Sequence, residues 1–219
     1  MAAAAVMFIV GALLAVGLVM WSLWARARRE KVLRAWAAEH DWTYEPLDRH
    51  MASSYQGLRP FGQGSARRCR HIVTGRYEGH EFVLFQYQYT VQSGKSSHTY
   101  FFRVIDVQAP LAGHGLSIQK EHIGHKIADA LGREDIDFES DEFSKRFWVQ
   151  CDDRRFAYDV ITPAMMEFLL PHDDWTLQWR GNRLLLHQSG TLEPQRAQEQ
   201  LRLVAGFLER LPRHLLATD

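Results

Sequence analysis

The side chains able to do chemistry fall in a few places. Glu134-Asp-Ile-Asp-Phe-Glu-Ser-Asp-Glu142 puts six carboxylates into nine residues, a density that suits a hard cation. It lacks the central Gly and the spaced Asp/Asn ligands of a calcium loop, so it reads as a solvated acidic loop. His122 and His125 stand three residues apart and would share one face of a helix. A zinc site needs further ligands, and no spacing supplies them. Cys151 as a nucleophile would need an imidazole base beside it. Its place in the alternation Phe147, Val149, Cys151 marks a strand side chain facing a core. Gly57-Leu-Arg-Pro-Phe-Gly-Gln-Gly64 has the glycines of a phosphate loop. It lacks the Gly-Lys-Ser/Thr that reaches phosphate and Mg²⁺, and Pro60 has no N–H to offer. Just after it, Arg67, Arg68 and Arg70 form a candidate contact for an anion or a lipid headgroup.

Two further motifs fail. His122-Ile-Gly-His125 spells a string known from class I aminoacyl-tRNA synthetases, but no matching lysine loop follows and the chain is too small. No Gly-x-Ser-x-Gly elbow occurs to present a serine nucleophile. The sequence therefore assigns no catalytic residue, no metal and no cofactor. An enzyme reading survives as the alternative: a membrane-tethered hydrolase using Cys151, or a metal near the acidic loop 134–142.

The elements that would position these residues are mostly strands. Residues 71–77, 81–91 and 98–108 alternate apolar and polar side chains, and the last two make a hairpin about the turn 92–97. Residues 46–70 are loop-like, broken by Gly57, Pro60, Gly62 and Gly64. A short strand is expected at 116–119. Ile123, Ile127 and Leu131 then predict a helix that stops at Gly132. Residues 147–151 and 156–160 read as a hairpin around Asp152-Asp-Arg-Arg155. Thr162-Pro163 caps and opens a helix that Pro171 closes. Residues 175–179 and 183–188 read as another hairpin with a turn at Gly181-Asn182. The last helix, from Thr191 and Pro194 to Leu211, carries Leu201, Val204, Leu208 and Leu211 on its buried stripe. The expected class is α+β: an N-terminal transmembrane helix, then a mostly antiparallel sheet with flanking helices.

The strongest signal is at the start. Residues 1–25 carry no charge, and five of the next six are charged. About 20 apolar residues rising roughly 1.5 Å each span a hydrocarbon core about 30 Å thick. The basic residues Arg26, Arg28, Arg29 and Lys31 follow the span directly. Basic flanks stay cytoplasmic, which places residues 26–219 inside. A cleaved signal peptide is the competing reading, since Ala25-Arg26-Ala27 is a small-x-small site. Against it stand the uncharged N-terminus and the length of the apolar run. The expected organisation is an anchor over 1–25, a juxtamembrane helix over 26–40 and a cytoplasmic α+β domain over 41–219. Net charge over all 219 residues is zero, so no charge argument supports nucleic-acid binding. The cysteines, Cys69 and Cys151, share no C-x-x-C spacing and should be reduced thiols in a cytoplasmic domain.

One stretch, Glu139-Ser-Asp-Glu-Phe143-Ser-Lys-Arg-Phe147-Trp-Val149 through Ala157, Thr162-Pro163 and Met166-Glu167, resembles a segment of an uncharacterised bacterial family, domain of unknown function 3137. The resemblance implies a membrane-associated domain of no assigned activity, and supplies no catalytic residue. The expected function is therefore a single-pass protein of the inner or plasma membrane. Its domain would bind or scaffold something at the inner face, with the lipid bilayer and another membrane protein as its partners.

Overall fold

A continuous rod of helix leads into the fold. In the computed structural model, which describes residues 2–120, 136–172 and 174–216, α1 runs unbroken over Ala2–Glu39. It ends where Asp41 takes a left-handed conformation (φ 58°) and the Trp42 N–H donates back to the Ala37 carbonyl at 2.9 Å, closing the last turn. Leu33, Trp36 and Ala37 are buried in the main core. The expected juxtamembrane helix is thus the far end of the same rod and part of the domain's packing. Among the described residues, which leave out the side chains of residues 1–6, 8, 9 and 12, no helix is long and apolar enough to cross a membrane. The fold itself therefore shows an α+β domain, and not the span.

The domain is built on one six-stranded antiparallel sheet. β1 (Thr43–Asp48), β2 (Ser65–Tyr77), β3 (His80–Ser93) and β4 (Ser96–Lys120) follow each other as neighbours. β4 is the spine. Its first half pairs with β3 on one edge, Phe82 opposite Val107 through to Ser93 opposite Ser96. Beyond the end of β3, the short β5 (Phe147–Gln150) takes up that edge over Ser117–Lys120. The other edge of β4 pairs with β6 (Trp175–Ser189).

Several expectations change. The two short strands expected at 98–108 and 116–119 are one strand, because irregular register at Gln108/Gly113 and His114/Leu116 lets β4 pass Pro110 without breaking. The expected hairpin about Gly181 is likewise one strand. Gly181 (φ 56°) lies opposite Gly113, and the local bend is absorbed inside the pairing. Residues 156–160 are a helix, not a strand. Asp153 caps α3 (Arg154–Val160) by accepting from the Arg155 N–H at 2.9 Å. Phe156, Ala157 and Val160 then fall on one buried face, a helical spacing that also reads as strand alternation at Phe156, Tyr158 and Val160. The loop expected at 46–70 holds the end of β1, a 3₁₀ turn at Met51–Tyr55 and the start of β2. The helix expected from Ile123 to Leu131 lies outside the described residues.

Other expectations hold. Thr162 accepts from the Met165 N–H at 3.3 Å and Pro163 opens α4 (Pro163–Leu169). α5 (Pro194–Glu209) buries Leu201, Val204 and Leu208. A short α2 (Asp141–Arg146) precedes β5, and α6 (Arg213–Leu216) follows α5.

The sheet has a core on each face. One is large and lies under α1, α3, α4 and α5, with Trp175, Leu177, Trp179, Leu184 and Leu186 of β6 pointing into it. The other is smaller and aromatic, with Phe85, Tyr87, Tyr89, Val104 and Leu185 covered by Tyr55 and Phe61 of the 46–70 segment.

Candidate functional site

Where α1 enters the domain, one residue from each of two sequence-distant basic clusters acts on His71. Arg26 and Arg29 lie roughly two and one helical turns before Leu33, on the same side of the helix. Arg28 and Lys31 point elsewhere, and the Arg28 guanidinium sits 5.4 Å over the Trp24 ring. In β2, Cys69 faces the aromatic core, so Arg68 and Arg70 lie on the opposite face of the sheet, the one that α1 covers. His71, next along, accepts or donates at 2.7 Å with the Tyr44 hydroxyl. Burial, then the positive charges of Arg70 and Arg29, push the His71 imidazole down to about 4. Arg29 of the rod and Arg70 of the sheet thus both act electrostatically on His71. Arg34 completes the group, 5.3 Å over the Tyr44 ring and 3.0 Å from Glu30. Arg67 is set apart: its Nε donates to the Gln63 and Gly64 carbonyls, each at 3.1 Å, and so ties down its own loop.

The glycine-containing loop 57–64 is a cover for the sheet, not a cradle for phosphate. It is clasped through its backbone. The Arg59 N–H donates to Gln178 Oε1 at 3.0 Å, and Gln178 Nε2 donates to the Arg59 carbonyl at 2.7 Å. Pro60 and Phe61 are buried beneath. The preceding turn is held by a charged group: the Tyr55 hydroxyl donates to Asp106 at 2.9 Å, Arg183 Nε lies 3.3 Å from the same carboxylate, and the Arg183 guanidinium stacks 4.6 Å over the Tyr55 ring. Burial raises the Asp106 carboxyl above its usual range, against the opposing pull of Arg183 and the Tyr55 hydrogen bond. None of these residues stands out by motif. The one signal available in sequence was an Asp between Ile105 and Val107 in an otherwise apolar run.

Between this loop and β6 lies a cleft of adjoining cavities. One, of about 240 Å³, is lined by polar groups that include Ser117, Gln119, Gln150 and Gln178. The next, of about 160 Å³, shares Arg59, Gln119 and Thr176 with it and is mostly apolar.

The sequence candidates for catalysis do not assemble. Cys151 is half-buried, and its Sγ donates to the His114 carbonyl at 3.2 Å. Its partner is thus a backbone oxygen, not an imidazole nitrogen, and burial pushes the thiol up, away from thiolate. Asp137, Glu139, Asp141 and Glu142 are exposed. Asp141 and Glu142 sit in the first turn of α2, which Ser140 caps, a placement explained by helix electrostatics. Glu134, Asp135, His122 and His125 lie outside the described residues. Among the described residues, no three His, Cys, Asp or Glu side chains gather as a metal site.

No family model and no curated protein matches the chain. A solved structure does: the crystal structure of the mycobacterial trehalose monomycolate transport factor A, TtfA, superposes with a TM-score of 0.55 at 13% identity, over 84% of this chain and 96% of that one. At that identity the likeness is one of fold.

Proposed function

We propose that this chain is a single-pass membrane protein whose α+β domain is a non-catalytic binding or scaffolding module held at the inner face of the membrane. The observation that carries this reading is the free part of α1. Leu14, Leu18 and Trp21 are 65%, 71% and 68% exposed, and exposed large apolar side chains recur on every side of the helix from Met7 to Trp24. Contact with the domain core begins only at Leu33. A helix apolar all round must be covered. Here the rod leaves the domain, and a bilayer is the cover that fits both its length, about 40 Å at 1.5 Å per residue, and the abrupt basic flank. That flank places the domain in the cytoplasm. It also brings Arg26 and Arg29, with Arg70 of β2, to headgroup level, where each basic side chain contributes roughly 1 kcal/mol on an anionic surface. The domain whose fold this chain shares belongs to a transport factor. That likeness supports the reading of the module as a non-catalytic part of a membrane apparatus, with another membrane protein as its proposed partner.

The test is carbonate extraction of membranes carrying the full chain, followed by protease treatment of right-side-out and inverted vesicles. The chain should stay with the membrane pellet, and its domain should be digested only in inverted vesicles. Release by carbonate would remove the anchor, and digestion in right-side-out vesicles would reverse the orientation.

A further inference from the structure

The cleft between loop 57–64 and β6 has features that a binding module's packing does not require. Its apolar section, about 160 Å³, is walled by Pro60, Tyr89 and Phe102. Two nitrogen-bearing side chains open onto it. His187 Nε2 is buried and has no hydrogen-bond partner, in a residue only 9% exposed. An orphaned polar atom at such depth keeps its desolvation penalty unless something pairs with it. Arg59 is the second. Its backbone is used by Gln178, but among the described residues its guanidinium meets no carboxylate. The carboxylate on the rim, Asp174, is already paired with Lys120 at 3.1 Å. So, among the described residues, a cation with no carboxylate partner and an imidazole nitrogen with no hydrogen-bond partner flank an apolar hollow, and polar space adjoins it on one side.

From this we infer that the cleft binds an anionic amphiphile, a carboxylate on an apolar chain, with Arg59 and His187 Nε2 holding the head and Pro60, Tyr89 and Phe102 packing the chain. Charge complementarity selects the head: the Arg fork matches a carboxylate in two hydrogen bonds. With the other ring nitrogen deprotonated, a neutral His187 donates one more through Nε2. The apolar wall selects against a bare anion. This site is on the sheet face away from α1, so it does not depend on how the rod sits in a membrane.

Equilibrium dialysis of radiolabelled decanoate against the full chain in phosphatidylcholine nanodiscs tests it, with Arg59→Gln protein in identical discs subtracting the label that partitions into lipid. Because the loop is clasped through the Arg59 backbone, this substitution leaves the cover in place, and unchanged thermal unfolding confirms it. The wild type should bind decanoate saturably, at least about tenfold more tightly than Arg59→Gln, since charge-assisted hydrogen bonds are lost. Decanol should compete poorly, and inorganic phosphate should not compete. Equal uptake by the two proteins overturns the assignment. So does competition by decanol as strong as by decanoate, or displacement by phosphate alone, which would make the cleft a simple anion site.

Discussion

His187 makes the acid response of the fold measurable. It is fully inside the cleft wall, and burial, followed by the charge of Arg59, lowers its imidazole to about 3. In the unfolded chain the same group titrates near 6.5. Below 6.5 the unfolded state therefore takes up a proton that the folded state refuses. The stability tied to this group is complete above pH 6.5 and is lost as pH falls toward 3. At 1.36 kcal/mol per pH unit, the fall from pH 7 to pH 5 removes about 2 kcal/mol. For a domain of this size that lowers Tm by about 4–8 °C. The perturbation is His187→Gln, which keeps a polar group of similar size but cannot titrate. The assay is thermal unfolding by near-UV circular dichroism at pH 7 and pH 5. Wild type and variant share every other titrating group, so the difference between their two pH shifts isolates His187. The variant should lose about 2 kcal/mol less than wild type over this interval. If both proteins lose the same amount, His187 is not held neutral by burial and the reasoning fails.

Other outcomes follow from the packing. Leu33→Ala, at a position with no exposure, should destabilise the domain by about 2–5 kcal/mol in urea unfolding, whereas Leu14→Ala, exposed on the rod, should leave the midpoint unchanged. Tyr55→Phe removes the hydroxyl that Asp106 accepts from and should cost about 1–3 kcal/mol, read by hydrogen exchange as faster opening of residues 51–63. Gly113→Ala drives a methyl into the Trp179 ring and should cost about 1–3 kcal/mol or more by thermal unfolding. Cys151, its thiol pushed up by burial, should be alkylated by iodoacetamide at pH 7.5 more slowly than free cysteine. Faster labelling would reopen the nucleophile reading.

Much of the fold can be read locally. The hairpin of β3 and β4 follows from strict alternation, Val83, Phe85, Tyr87 and Tyr89 against Gln86 and Gln88. The start of α4 follows from Thr162-Pro163, and the buried stripe of α5 from its leucines. Errors arise where one pattern serves two periods. Phe156, Tyr158 and Val160 alternate like a strand, yet Asp153 supplies a helix cap and the i, i+1, i+4 set is what the core takes up. Glycine misleads in the same way: Gly181-Asn182 has the composition of a tight turn, but across from Gly113 it becomes an irregularity inside a continuous strand.

Composition and near neighbours suffice for the apolar, uncharged first 25 residues with their basic flank, for the α+β class and for most strand positions. The rest depends on which distant backbones touch, and that is a property of the folded chain. Folding set Arg29 and Arg70 both within electrostatic reach of His71, laid the 57–64 loop over β6 and put Asp106 under Tyr55 and Arg183. The cleft shows why most clearly. Before Gly181 the even-numbered residues of β6, Thr176 and Gln178, face the loop, and after it the odd-numbered ones do, Leu185 and His187. The bend at Gly181 shifts the alternation by one, so residues that a regular strand would send to opposite faces line one wall. A shift of that kind is set by pairing with β4 some 70 residues earlier, and no local pattern in the strand reports it.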